Sequence, residues 1–177
     1  MSGANNIITV ILLSLGDYYA VDGGGGTDTL VIEAQALGAD LTAGGLSPYE
    51  MIHSNPAQIA VSGTNFEMFD ITGGSGDDVL SGHVLDDRLI GGPGNDTLDG
   101  LLGSDTLDGG DGDDDLRVGE LVSSYVHDTG PDVIDGGSGF DRLSKLPRDH
   151  LTDDQSITIN FLEAGGASFS LTDGTSV

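Results

Sequence analysis

The stretch GGPGNDTLDG (Gly91–Gly100) sets three glycines and an aspartate in its first six residues, follows them with one large apolar side chain, Leu98, and then restarts with glycine. Counted outward in nines, the phase holds from Gly73 to Ser144: GGSGDDVLS, GHVLDDRLI, GGPGNDTLD, GLLGSDTLD, GGDGDDDLR, VGELVSSYV, HDTGPDVID, GGSGFDRLS. The eighth position of these windows reads Leu80, Leu89, Leu98, Leu107, Leu116, Tyr125, Ile134 and Leu143. Windows starting at 73, 91, 109 and 136 match GGxGxDx-apolar-x in full, and a fifth full match, GGGGTDTLV, stands alone at Gly23–Val31. A unit this short cannot hide its one apolar side chain alone, so it gains stability only by stacking on its neighbours.

Each position has a physical reason. Glycines at one, two and four permit backbone conformations closed to a residue with a Cβ, and they let carbonyl oxygens turn toward a common point. The aspartate at six brings a carboxylate to that point. The last three residues alternate out, in, out, as a three-residue strand with one core-facing side chain must. The expected fold is all-β, a solenoid of short parallel strands.

Composition agrees. Of 177 residues, 30 are acidic against 5 Lys and Arg, a formal charge of −25, and 25 of the acids are Asp. Asp is a poor helix former and a good turn and ligand residue. Such a charge repels nucleic acid and anionic membrane and opposes compaction unless something neutralises it. The basic residues, Arg88, Arg117, Arg142, Lys145 and Arg148, leave everything before residue 88 without a basic partner, and a hard divalent cation is the natural neutraliser for clustered oxygens. There is no Cys, which removes disulfides and thiolate metal sites. The apolar run IITVILLSL (Ile7–Leu15) is too short to span a bilayer and lacks a preceding Lys or Arg, so it reads as a buried strand.

The nonapeptide resembles the hemolysin-type calcium-binding repeat of RTX (repeats-in-toxin) proteins, over residues 73–144 and 23–31. The resemblance implies a right-handed parallel β-roll with two nonapeptides per coil and Ca2+ held between turns one coil apart, so that window n pairs with window n+2. One edge of the roll then carries turns 73, 91, 109 and 127, the other turns 82, 100, 118 and 136. The first holds three intact turns in succession, and its fourth keeps Gly130 and Asp132. Two Ca2+ sites are expected, between turns 73/91 and 91/109, with a third between 109 and 127. The side-chain ligands would be Asp78, Asp96, Asp114 and Asp132. By resemblance, carbonyls at odd turn positions complete each shell: Gly73, Ser75, Asp77; Gly91, Pro93, Asn95; Gly109, Asp111, Asp113. Pro93 suits a residue used only through its carbonyl. On the other edge Asp87 and Asp105 are candidates for a further ion, although Leu85 and Leu101 replace glycines. The alternative for that edge is an apolar face of Val84, Leu85, Leu101 and Leu102, open to a protein or surface partner.

The expected organisation is a β-solenoid flank at 1–72, the calcium-binding roll at 73–144 and a strand-rich flank at 145–177 that repeats the first and stops short, as in a fragment of a larger protein. Other sites fail on spacing. In DGDDDLRVGELV, Asp111, Asp113 and Asp115 open like an EF-hand, but Leu116 stands where glycine is needed and Val122 where a bidentate Glu is needed. His53, His83, His127 and His150 form no HExxH pair, and no GxSxG marks a hydrolase nucleophile. The reading is therefore a non-catalytic, calcium-dependent module that folds on binding Ca2+, extracellular by resemblance and exported by type I secretion from a Gram-negative bacterium. Two rival settings are the accessory part of a secreted protease, lipase or polysaccharide epimerase, and a segment of an adhesin or surface layer.

Overall fold

The computed structural model describes residues 3–13, 18–38, 40–44, 50–55, 60–118, 132–145, 157–159 and 170–172. Among them every regular element is a strand. One parallel sheet runs in the order β1 (Ile7–Ile11), β3 (Thr29–Glu33), β7 (Met68–Thr72), β9 (Arg88–Pro93), β11 (Thr106–Asp111), β13 (Asp132–Asp135), β15 (Ile157–Ile159). The second runs β16 (Ser170–Thr172), β14 (Arg142–Lys145), β12 (Asp115–Val118), β10 (Thr97–Asp99), β8 (Val79–Ser81), β4 (Asp40–Gly44), β5 (Glu50–Asn55), β6 (Ala60–Thr64), β2 (Tyr18–Asp22). From β7 onward successive strands alternate between the sheets, so each nonapeptide is half a coil of a parallel β-roll. The departure is β5, which pairs antiparallel with both β4 and β6; the wider coil at residues 40–64 carries a meander.

The eighth-position residues form the core. Leu80, Leu98, Leu116 and Leu143 are direct neighbours across β8, β10, β12 and β14. Ile71, Leu89, Leu107 and Ile134 do the same across β7, β9, β11 and β13. All eight lie buried in one cluster, and each leucine withdrawn from water in this way contributes about 2 kcal/mol. Tyr125, also expected in this ladder, lies outside the described residues.

The even count of nines fails at one place. Neighbouring coils are 18 residues apart where Asp78 meets Asp96 and Asp96 meets Asp114, but 27 apart where Asp105 meets Asp132 and Asp114 meets Asp141. One coil therefore contains nine additional residues between β12 and β13. Nine more residues without a further change of sheet shift every later window to the other edge, so turn 136 stacks on turn 109, not on turn 118. The edge leading into the second sheet then carries turns 73–78, 91–96, 109–114 and 136–141, so the four full GGxGxD matches of residues 73–144 stand in one column.

Candidate metal centre

On this first edge the position-six aspartates form a buried column joined through one carboxylate oxygen each. Asp78 Oδ1 accepts the Leu41 N–H at 2.7 Å, Asp96 Oδ1 accepts that of Asp78 at 2.7 Å, Asp114 Oδ1 that of Asp96 at 2.7 Å, and Asp141 Oδ1 that of Asp114 at 3.1 Å. The second oxygen, Oδ2, shares the space beside the first glycine of its turn with a carbonyl oxygen of the next coil. Asp78 Oδ2 and the Gly91 carbonyl oxygen both lie against the place a Cβ on Gly73 would take; Asp96 Oδ2 and the Gly109 carbonyl do so at Gly91, and Asp114 Oδ2 and the Gly136 carbonyl at Gly109. A Cβ at any of these would collide with both oxygens, which is why position one is glycine.

Oxygen facing oxygen inside a protein is unfavourable unless a proton or a cation lies between. Asp78 Oδ2 is relieved by the Gly74 N–H at 2.7 Å, but Asp96, Asp114 and Asp141 Oδ2 are buried and accept no hydrogen bond. The resolved arginine ion pairs go elsewhere, to Asp70 and Asp115 on the sheet faces. Burial, above all, pushes the Asp96 carboxyl up to about 7 and those of Asp78 and Asp114 up to about 6, and neighbouring carboxylates push the same way against the backbone hydrogen bonds. Asp141 is raised for the same first reason.

This donor set is oxygen only, negative and withdrawn from water, which fits a hard cation such as Ca2+ and not Zn2+. Among the described residues no three His, Cys, Asp or Glu side chains cluster as a metal centre by themselves, so carbonyls must supply much of any shell. All nine carbonyl candidates lie on this edge. Gly91 and Gly109 direct theirs into the cradle, and Pro93 pairs with Asp111. The position-five residues do more than expected: Asp77 Oδ1 accepts the Asn95 N–H at 2.8 Å and Asn95 Oδ1 that of Asp113 at 2.9 Å, a second, exposed column binding coil to coil.

The other edge keeps part of this architecture. Asp87 and Asp105 stand in a column of their own, Asp87 Oδ1 accepting the Phe69 N–H at 2.7 Å and Asp105 Oδ1 that of Asp87 at 3.0 Å. Asp87 Oδ2 accepts the His83 N–H and faces the Gly100 carbonyl across Gly82. The turn at 100 retains the intact backbone shape despite its leucine: Leu101 takes a φ of 65° and Gly103 136°, beside 109° and 146° at Gly92 and Gly94.

Two expectations are corrected. Asp132 does not follow Asp114; its Oδ1 accepts the Asp105 N–H at 3.0 Å on the second edge, and Asp141, not among the expected ligands, takes its place. The cause is the nine-residue insertion. Leu101 and Leu102 are also 8% and 4% exposed and so present no apolar surface, whereas Val84 and Leu85 remain exposed. Asp28 was overlooked as well. It is fully buried with Oδ2 accepting no hydrogen bond, and the signal for it was the complete GGGGTD match preceding it.

A stack of such turns on two parallel sheets defines a cation-binding β-roll. The model of the RTX calcium-binding nonapeptide repeat matches residues 70–84, 81–116 and 128–144, so these segments carry four copies of that repeat. The match breaks between 116 and 128. None of the curated proteins matches the chain. Among the described residues no helix is long and apolar enough to cross a membrane.

Proposed function

We propose that the first edge is a row of three Ca2+ stations, at turns 73/91, 91/109 and 109/136. The side-chain ligands are Asp78, Asp96, Asp114 and Asp141, joined by the odd-position carbonyls of the same turns. One observation carries the reading: in successive coils a buried carboxylate oxygen and a carbonyl oxygen converge on the same small space beside a glycine, and Asp96 and Asp114 Oδ2 accept no hydrogen bond there. Cation binding there favours the folded state because the unfolded chain has no such cage, so binding free energy becomes folding free energy. The module is therefore calcium-dependent in its folding and non-catalytic. An extracellular setting follows from the same dependence, since calcium is scarce in the cytosol and plentiful outside; RTX repeats are typical of secreted proteins. Asp87 and Asp105 form a weaker station on the second edge, where Asp87 Oδ2 is already taken by the His83 N–H.

The test is a calcium titration followed by circular dichroism and calorimetry. The expected result is a gain of β signal that saturates with three tight ions. A β-rich spectrum indifferent to excess EDTA would refute it.

A further inference from the structure

The turn at residues 3–6, on the edge leading into the first sheet, has the geometry of a cation station and yet has a donor of its own. Residues 3–6, which lack the glycine pattern, stack on the GGGGTD turn as one intact turn stacks on the next. The Thr27 N–H donates to Asn5 Oδ1 at 3.0 Å, the position-five column. The Asn6 N–H donates to Asp28 Oδ1 at 2.7 Å, as the Asp78 N–H donates to Asp96 Oδ1. Asn6 therefore occupies the place of Asp78, Gly23 that of Gly91, and Asp28 that of Asp96.

At the corresponding stations of the first edge the second side-chain atom is a carboxylate oxygen, packed beside the next turn's first carbonyl. Here it is Asn6 Nδ2, and it donates to the Gly23 carbonyl at 2.8 Å, to Asp28 Oδ1 at 2.9 Å and to the Ala4 carbonyl at 3.0 Å. Three oxygens from two successive turns converge on one amide nitrogen. The opposite amide orientation would set Oδ1 against all three, so only the nitrogen fits.

We infer that the Asn6 carboxamide stands in for the cation, making the coil of β1 and β3 independent of calcium and leaving it as a folded platform on which the cation-dependent coils stack. The inference rests on the calcium reading of the first edge, because it assigns the coil of β1 and β3 the opposite behaviour. It concerns only the face of the Asp28 turn on which Asp28 Oδ1 accepts the Asn6 N–H.

Hydrogen exchange of the full chain, read by mass spectrometry in EDTA and in calcium, tests it. In EDTA the amides of β1 and β3 should stay protected while those of β9 to β12 exchange. Asn6→Asp places a carboxylate among the same oxygens, and should speed exchange of β1 and β3 in EDTA by about tenfold or more, with calcium restoring protection. Asn6→Ala should lose the same protection in both conditions. Wild-type β1 and β3 amides that exchange in EDTA as fast as those of β9 to β12 would overturn the inference. So would an Asn6→Asp chain that keeps its protection in EDTA, or one that calcium cannot restore. Failure of the calcium reading itself looks different: β9 to β12 would then exchange at the same rate with and without calcium.

Discussion

Replacing Asp96 by Asn should stabilise the metal-free chain while weakening its grip on calcium, two effects of opposite sign from one substitution. Asn keeps an oxygen to accept the Asp78 N–H now bound at 2.7 Å, and it offers an amide to the Gly109 carbonyl, the arrangement Asn6 already uses at Gly23. It also removes a charge that burial opposes. The Asp96 carboxyl moves from 3.8 to about 7 on folding, which corresponds to roughly 4 kcal/mol against the ionised group. The sign follows from proton counting. Between about pH 4 and pH 7 the folded metal-free chain holds a proton that the unfolded chain has released, so stability falls as pH rises through that window. Asn does not titrate, so the gain from Asp96→Asn should be absent near pH 4 and reach about 1–4 kcal/mol by pH 8. In calcium the variant should lose affinity by about tenfold to a hundredfold, since it gives up a charged ligand. Urea melts in EDTA at both pH values, followed by circular dichroism, with a parallel calcium titration, measure all of this. A variant that is less stable than wild type in EDTA at pH 8, or equally stabilised at both pH values, would refute the reasoning.

Three further outcomes follow from the same geometry. Gly91→Ala drives a Cβ into Asp96 Oδ2 and the Gly109 carbonyl, whereas Gly24→Ala meets open space and only the strain of a φ of +92°; the first should destroy a calcium station, the second cost about 1 kcal/mol in a urea melt. Asp141→Ala should remove one tight ion from a calorimetric titration, while Asp132→Ala should leave the number of tight ions unchanged. Deleting nine residues, 119–127, reduces the long coil from 27 residues to 18, and the shortened chain should still fold and bind as many tight ions as the full one.

Why the sequence revealed the core and not the edge assignment can be argued from residues. Each coil half buries one side chain, so Leu80 to Leu116 announce the roll by period alone. An insertion of nine residues leaves that period intact: Tyr125 continues the phase, and counting in nines cannot tell a half-coil from a coil that has grown by half. The error appears only in which edge receives the next turn, and this moved Asp132 away from Asp114 and brought Asp141 in. Leu101 misled for a different reason. Leucine is penalised in the left-handed region, yet Leu101 holds a φ of 65° there with its side chain buried. Residues 3–6 were invisible because a turn that uses an amide in place of a cation has no need of the aspartate by which such turns are recognised.

The central claim is that calcium lines one edge. A calcium-bound crystal structure tests it most directly, by the positions of the ions. The account predicts three in a row, between turns 73 and 91, 91 and 109, and 109 and 136. An ion bridging Asp114 and Asp132, or a row of ions on the edge of Asp87 and Asp105 with the first edge empty, would contradict it.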